Sequence, residues 1–218
     1  MAAHPGGAPR THHRRSDGML NPDGHPILAR TLDVIMSPLA SVRGRVVPLA
    51  RGRVLEVGIG TGANLPLYGD IEHLTGLEPD PHMRARAAQR AADRSFPVEL
   101  VDADAAALPF ADGSFDTVVA TFVLCTIPDA AGAARELHRV LRPDGLLIYA
   151  EHTCAHGSPM RRAQQLVTPV WKRLAGGCHL DRDGLALLRD AGFTLSPMSP
   201  ERPANHPLPV HYGVGRPG

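Results

Sequence analysis

Residues 54–65 read VLEVGIGTGANL, an apolar run that carries one acid, Glu56, and opens into a turn holding Gly58, Gly60 and Gly62. Small residues there let the backbone approach a ligand closely, and free amides at the start of a following helix can meet a polar or anionic group. An ionised carboxylate inside an apolar strand is costly unless something nearby is cationic or donates hydrogen bonds to it. Gly58, Gly60 and Ala63 also satisfy the G-x-G-x-x-G/A fingerprint of dinucleotide sites, and Glu78 follows about 20 residues on, where a ribose-binding acid is expected. The turn alone leaves a nicotinamide-dependent reductase open.

Later in the chain come the side chains suited to proton transfer or soft-ligand chemistry: Cys125, His152, Cys154, His156, Cys178 and His179. Cys154, His156, Cys178 and His179 are the combination that could hold zinc. Their Cys-x-His and Cys-His spacings, however, put neighbouring ligands closer than the usual gap of structural sites. No metal is expected.

These residues need elements to position them. Short apolar runs at 54–57, 74–77, 98–101, 117–120 and 146–149 alternate with helix-like stretches near 62–68, 80–93 and 129–141. Continuously apolar strands interleaved with helices imply a parallel sheet covered on both faces. Residues 193–195 and 210–214 add two further strands as an antiparallel edge, so the expected fold is α/β, a Rossmann-like, mostly parallel seven-stranded sheet. Ahead of it, residues 26–50 carry apolar positions three and four apart, as in an amphipathic helix, with breaks expected near Pro38 and Gly44. Residues 1–24 hold almost no apolar side chains and are expected to be a disordered tail. Residues 25–218 then form a single domain, with a helix and loop over 158–177 and the helix from Pro26 roofing the open end of the sheet.

Composition narrows the partners. The 23 Lys+Arg nearly cancel the 22 Asp+Glu, so no global field draws the chain to nucleic acid or an anionic membrane. The longest nearly apolar run, 117–127, falls short of the ~18–20 residues of a membrane-spanning helix, so no integral membrane segment is expected. The amino terminus lacks a signal-peptide apolar region, and three cysteines do not suggest a disulfide framework, so a cytoplasmic location with reduced thiols is expected.

Two further segments, DADAAALPFADGSFDTVV at 102–119 and ELHRVLRPDGLLIYAEH at 136–152, complete a pattern that resembles class I S-adenosylmethionine-dependent methyltransferases over residues 50–195. The ammonium and sulfonium of that donor would supply the cationic neighbour that Glu56 needs. The resemblance implies that Glu56, Gly58, Gly60 and Gly62 wrap the methionine moiety and sugar. It implies that Glu78 holds both ribose hydroxyls, Asp104 receives the adenine amino group, Ala105 offers its amide to the ring, and Thr121 touches the methionine end.

A narrower similarity joins TGANLPLY, Leu124-Cys125, Glu151-His152, Trp171-Lys172 and Gly176-Gly177-Cys178. These resemble the methyltransferase-like proteins that methylate small thiols, whose members begin with an apolar anchor where this chain begins with a polar stretch. The similarity implies a small-molecule acceptor, a thiol first and an oxygen or nitrogen nucleophile next, with Cys125 and Trp171 against the substrate. A thiol with pKa near ~8.5 is already a strong nucleophile at neutral pH and needs no dedicated base. An alcohol needs one, and His152, at the carboxyl end of the fifth strand, is the first candidate and His179 the second. A methyltransferase fold that uses the donor without transferring its methyl is the remaining alternative.

Overall fold

The computed structural model describes residues 24–154, 158–174, 176–201 and 210–218. The proposed tail, apart from Gly24, lies outside them, as does His156. Among the described residues, seven strands form one sheet: β1 (Arg53–Val57), β2 (His73–Leu77), β3 (Val98–Val101), β4 (Phe115–Thr121), β5 (Leu141–His152), β6 (Phe193–Glu201) and β7 (Val210–Pro217). Their order is β3-β2-β1-β4-β5-β7-β6. The first five are parallel, and β7 pairs antiparallel with both β5 and β6. The chain thus reverses direction across the sheet between β1 and β4, and the crevice beyond their carboxyl ends is where ligands of such sheets bind.

The described residues include six α-helices: α1 (Pro26–Ile35), α2 (Ala40–Val46), α3 (Pro81–Ala91), α4 (Ala130–Val140), α5 (Ser158–Leu174) and α6 (Gly184–Asp190). Side chains alternate along a strand, so each strand feeds two cores. Leu55, Val57, Val118, Leu147 and Tyr149 pack with Leu137 of α4 and Leu188 of α6. Val54, Leu74, Val119 and Ile148 pack on the other face with Val42 and Val46 of α2 and Ala87 of α3. Glu56 has the parity of Val54 and therefore points to the α2 side.

Helix starts follow local chemistry. Asp80 caps α3 by accepting the amides of His82 and Met83 at 2.8 and 3.1 Å, with Pro81 at the first helical position. Asp129 and Asp183 cap α4 and α6 in the same way.

Three expectations are corrected. Residues 62–68 form turns ending in a 3₁₀ segment, Leu65–Leu67, rather than a helix. Gly62 holds φ 81° and Pro66 lacks an amide, so an α-helical ladder cannot build there. Gly44 lies within α2, and a Cβ there would meet nothing within 4 Å; the second break falls at Val47–Leu49, around Pro48. The fifth strand runs from Leu141 to His152, well beyond 146–149 at both ends.

Candidate active site

The glycine turn after β1 is built to bend tightly: Gly58, Gly60 and Gly62 have φ of 66°, 57° and 81°. No α-helix follows, so its amides are satisfied elsewhere. The Gly60 amide donates to Glu78 Oε2 at 2.9 Å, and the Asp80 amide donates to Glu78 Oε1 at 2.9 Å. Burial lifts the Glu78 pKa to about 7 against the pull of those two bonds. From the other side, α1 lies on the turn: Thr61 Oγ1 and the Arg90 guanidinium both donate to Asp33.

Glu56, fully buried, is met by protein donors rather than left for a ligand alone. Asn64 Nδ2 donates to Oε1 at 2.8 Å and Tyr68 OH to Oε2 at 2.7 Å. Burial raises this carboxyl to about 7 as well, with Tyr68, Asn64 and the nearby Arg43 charge pulling it down. The same Asn64 amide donates to Thr121 Oγ1 at 3.0 Å, which ties the end of β4 to the turn after β1. Asn64 Oδ1 is buried and has no partner among the described residues. Ala105 is buried, whereas Asp104 is exposed and takes the Ala106 amide on Oδ1 at 2.9 Å, leaving its other oxygen to solvent.

Across the carboxyl edge, three segments converge. Cys125, His152 and Cys178 bring one sulfur, one ring nitrogen and a second sulfur within 4.8 Å of one another. His152 Nε2 is 3.2 Å from Cys178 Sγ. Bonds from Cys125, His152 and the Trp171 indole favour the Cys178 thiolate and lower its pKa against burial. The bond to Cys178, together with burial, raises that of Cys125. Burial lowers the His152 pKa, but Cys178 and Glu151 more than offset it, so it stands raised.

The meeting is enforced by backbone clasps. The His179 amide donates to the Cys125 carbonyl at 2.8 Å, and Arg182 Nη1 donates to the carbonyls of Leu124 and Ile127 at 2.7 and 2.6 Å. Glu151 Oε1 accepts the amides of Val123 and Leu124 at 2.9 and 3.0 Å. The two covers touch here too, since a Cβ on Gly176 would come within 2.9 Å of Leu28 of α1.

Of the residues singled out in the sequence, Glu56 and Thr121 are joined through Asn64, and Cys125, His152 and Trp171 gather around Cys178. The His179 ring lies outside this group, 3.9 Å from Asp181, and burial with the Arg182 and Lys172 charges lowers its pKa. Asn64 and Tyr68 were present in TGANLPLY but carried no assigned role. The sequence groups Cys178 with Cys154, His156 and His179, whereas its partners in the structure are His152 at the end of β5 and Cys125 in the turn after β4.

Residues 55–149 match a family described as a methyltransferase domain. The chain is 34% identical over 175 residues to human thiol S-methyltransferase TMT1B, covering 78% of this chain and 72% of that protein. It is 35% identical over 151 residues to human thiol S-methyltransferase TMT1A, covering 67% of this chain and 62% of that protein. Over 132 residues it is 38% identical to the phosphatidylethanolamine N-methyltransferase of Cereibacter sphaeroides, covering 60% and 64% of the two. The fold matches that of the [4+2]-cyclase SpnF with TM-score 0.63 at 22% identity, covering 82% and 79%. It also matches a possible histamine N-methyltransferase of Thermotoga maritima with TM-score 0.62 at 22% identity, covering 88% and 98%. The unpartnered Asn64 oxygen and the buried acids Glu56 and Glu78 beside the glycine turn fit a cationic nucleoside donor. The chain belongs to the class I S-adenosylmethionine-dependent methyltransferases.

Proposed function

We propose that the chain transfers the methyl group of S-adenosylmethionine to the sulfur of a small thiol. The observation that carries this reading is the 34% identity with a thiol S-methyltransferase over 175 residues, well beyond the 55–149 domain match and long enough to take in the acceptor side. S-adenosylmethionine supplies an electrophilic methyl on a sulfonium sulfur. Asn64 Oδ1 and the Glu56 carboxylate behind it receive the donor's ammonium end, with Thr121 beside them. Glu78 takes the ribose hydroxyls on lone pairs that its two amide bonds leave free, since a carboxylate has about four acceptor sites. Asp104, with its second oxygen uncommitted, takes the adenine amino group, and the Ala105 amide faces the ring.

In-line methyl transfer needs placement and exclusion of water more than a strong base. Trp171 and Cys125 frame the acceptor sulfur, and His152 would take a proton only from an acceptor, such as an alcohol, that needs a base. His179 serves only if the acceptor lies toward Asp181.

The 38% identity to a phosphatidylethanolamine N-methyltransferase supports a second reading, in which the acceptor is a primary amine. Incubation with methyl-labelled donor and a panel of alkyl thiols, phenols and amines separates the two. The expected result is a labelled thioether together with S-adenosylhomocysteine. Label found in amines and in no thiol overturns the thiol reading.

A further inference from the structure

We propose that Cys125, His152 and Cys178 form a zinc site with one coordination position left open for the acceptor thiol. The proposal rests on the thiol reading above. Three features of the group carry it.

The first is convergence. The three ligand atoms lie within 4.8 Å of one another, although they come from the turn after β4, the end of β5 and the loop after α5. A tetrahedral ion with Zn–S near ~2.3 Å and Zn–N near ~2.0 Å requires separations of about 3.8 Å between sulfurs and about 3.6 Å between sulfur and nitrogen. The 3.2 Å between His152 Nε2 and Cys178 Sγ needs to open only by a few tenths of an ångström.

The second is the donor set. Two thiols and an imidazole suit zinc and do not suit magnesium or calcium, which take oxygen. Three protein ligands rather than four is the arrangement that leaves a position for substrate. Cys154 is buried nearby in sequence but stands outside the group.

The third is independent support. The His179–Cys125 backbone bond, the two Arg182 bonds and the Glu151 grip on Val123 and Leu124 hold the segments together without any ion. Ligands so fixed need little rearrangement to close on a metal.

Zinc binding displaces one proton from each cysteine thiol to solvent. An acceptor R–SH entering the fourth position likewise loses its proton to solvent and becomes R–S⁻. That sulfur gives an electron pair to the methyl carbon while the bond from methyl to sulfonium sulfur breaks, its pair staying on the departing sulfur. The products are the neutral thioether R–S–CH₃ and S-adenosylhomocysteine. An uncharged thioether is a weak zinc ligand and leaves.

The test uses the full chain, stripped with a chelator under reducing conditions and then titrated with Zn²⁺ or Co²⁺. About one equivalent of zinc should survive dialysis. Cobalt should give thiolate charge-transfer absorption and tetrahedral visible bands that change when a small thiol is added. Cys125→Ser and Cys178→Ser should each lose much of the charge-transfer band and weaken zinc binding at least roughly tenfold, whereas Cys154→Ser should keep both. Circular dichroism and S-adenosylhomocysteine calorimetry verify that each variant folds and binds donor. Undiminished thiol methylation by the zinc-free chain overturns the metal site and leaves the thiol reading standing. A cobalt spectrum that ignores thiol, in a chain that methylates none, removes the thiol reading and with it the open position.

Discussion

Glu78, the first residue after β2, holds the Gly60 amide 2.9 Å from its Oε2, so the acid proposed to bind ribose also fixes the shape of the turn proposed to wrap the donor. Its replacement should therefore act twice. Glu78→Ala is expected to weaken S-adenosylhomocysteine binding by roughly tenfold to a hundredfold, the equivalent of about 1.5–3 kcal/mol for bonds to a charged group. Calorimetry on the folded variant reads this directly. Unchanged affinity removes Glu78 from the site.

Asp104 provides the contrast. It is exposed, and its side chain bonds locally, to the Ala106 amide. Asp104→Ala should leave the thermal midpoint nearly unmoved, as surface substitutions usually stay within about 0.5 kcal/mol. It should still weaken donor binding several-fold. A matching loss of stability and affinity would mark Asp104 as a turn residue and nothing more.

The parallel sheet with its antiparallel edge was legible because β1, β4 and the middle of β5 are apolar runs and α3 and α4 start at capping acids, Asp80 and Asp129. The helix over 62–68 was misread because Leu65 and Leu67 supply apolar periodicity while Gly62 and Pro66 deny the backbone a helical ladder. Glu56 was correctly marked as needing a partner, but its partners Asn64 and Tyr68 lie 8 and 12 residues ahead on a turn whose path the sequence does not specify. Cys178 could not be paired with Cys125 and His152 from spacing, since loop closure between α5 and α6 decides that contact.

Two glycines of the same turn should respond differently to alanine. A Cβ at Gly62 would lie 2.7 Å from Leu65 Cδ1 and 3.1 Å from the Ala87 backbone, at φ 81°. At Gly60 the nearest atom is Leu32 Cδ2, at 3.6 Å. Gly62→Ala should therefore destabilise by about 2–4 kcal/mol, combining strain and overlap. Gly60→Ala should cost about 1 kcal/mol of backbone strain and act mainly on donor affinity. Chemical denaturation and calorimetry on both variants distinguish the two effects.

The buried acids make stability and donor binding move in opposite directions with pH. Glu56 and Glu78 sit near 7 when folded, above the ordinary 4.5. The folded chain then holds more protons than the unfolded chain between those values, so their contribution to stability is full below the unfolded pKa and is lost as pH rises through about 7. Binding of the cationic donor needs the carboxylates and should tighten over the same rise. Denaturation and calorimetry about one unit either side of 7 should show the two trends crossing. Glu56→Gln should flatten part of each. Parallel trends, or a flat binding profile, would place the titration elsewhere.

Glu151 should matter to the acceptor side alone. Its Oε1 gathers the Val123 and Leu124 amides, which sets the turn that presents Cys125, and no bond connects it to Asn64, Glu56 or Glu78 among the described residues. Burial lifts the Glu151 carboxyl to about 7, so above that pH Glu151→Gln puts a neutral acceptor in place of a charged one, and the amide can also turn a donor toward two donors. The turn should loosen at a cost of about 1–3 kcal/mol, and the Cys125 sulfur should drift from His152 and Cys178. Turnover with the accepted nucleophile is expected to fall at least roughly tenfold, with S-adenosylhomocysteine affinity within about twofold of the parent chain. If donor affinity collapses as well, the turn after β4 couples the two halves of the site, and the separation of donor and acceptor residues drawn above does not hold.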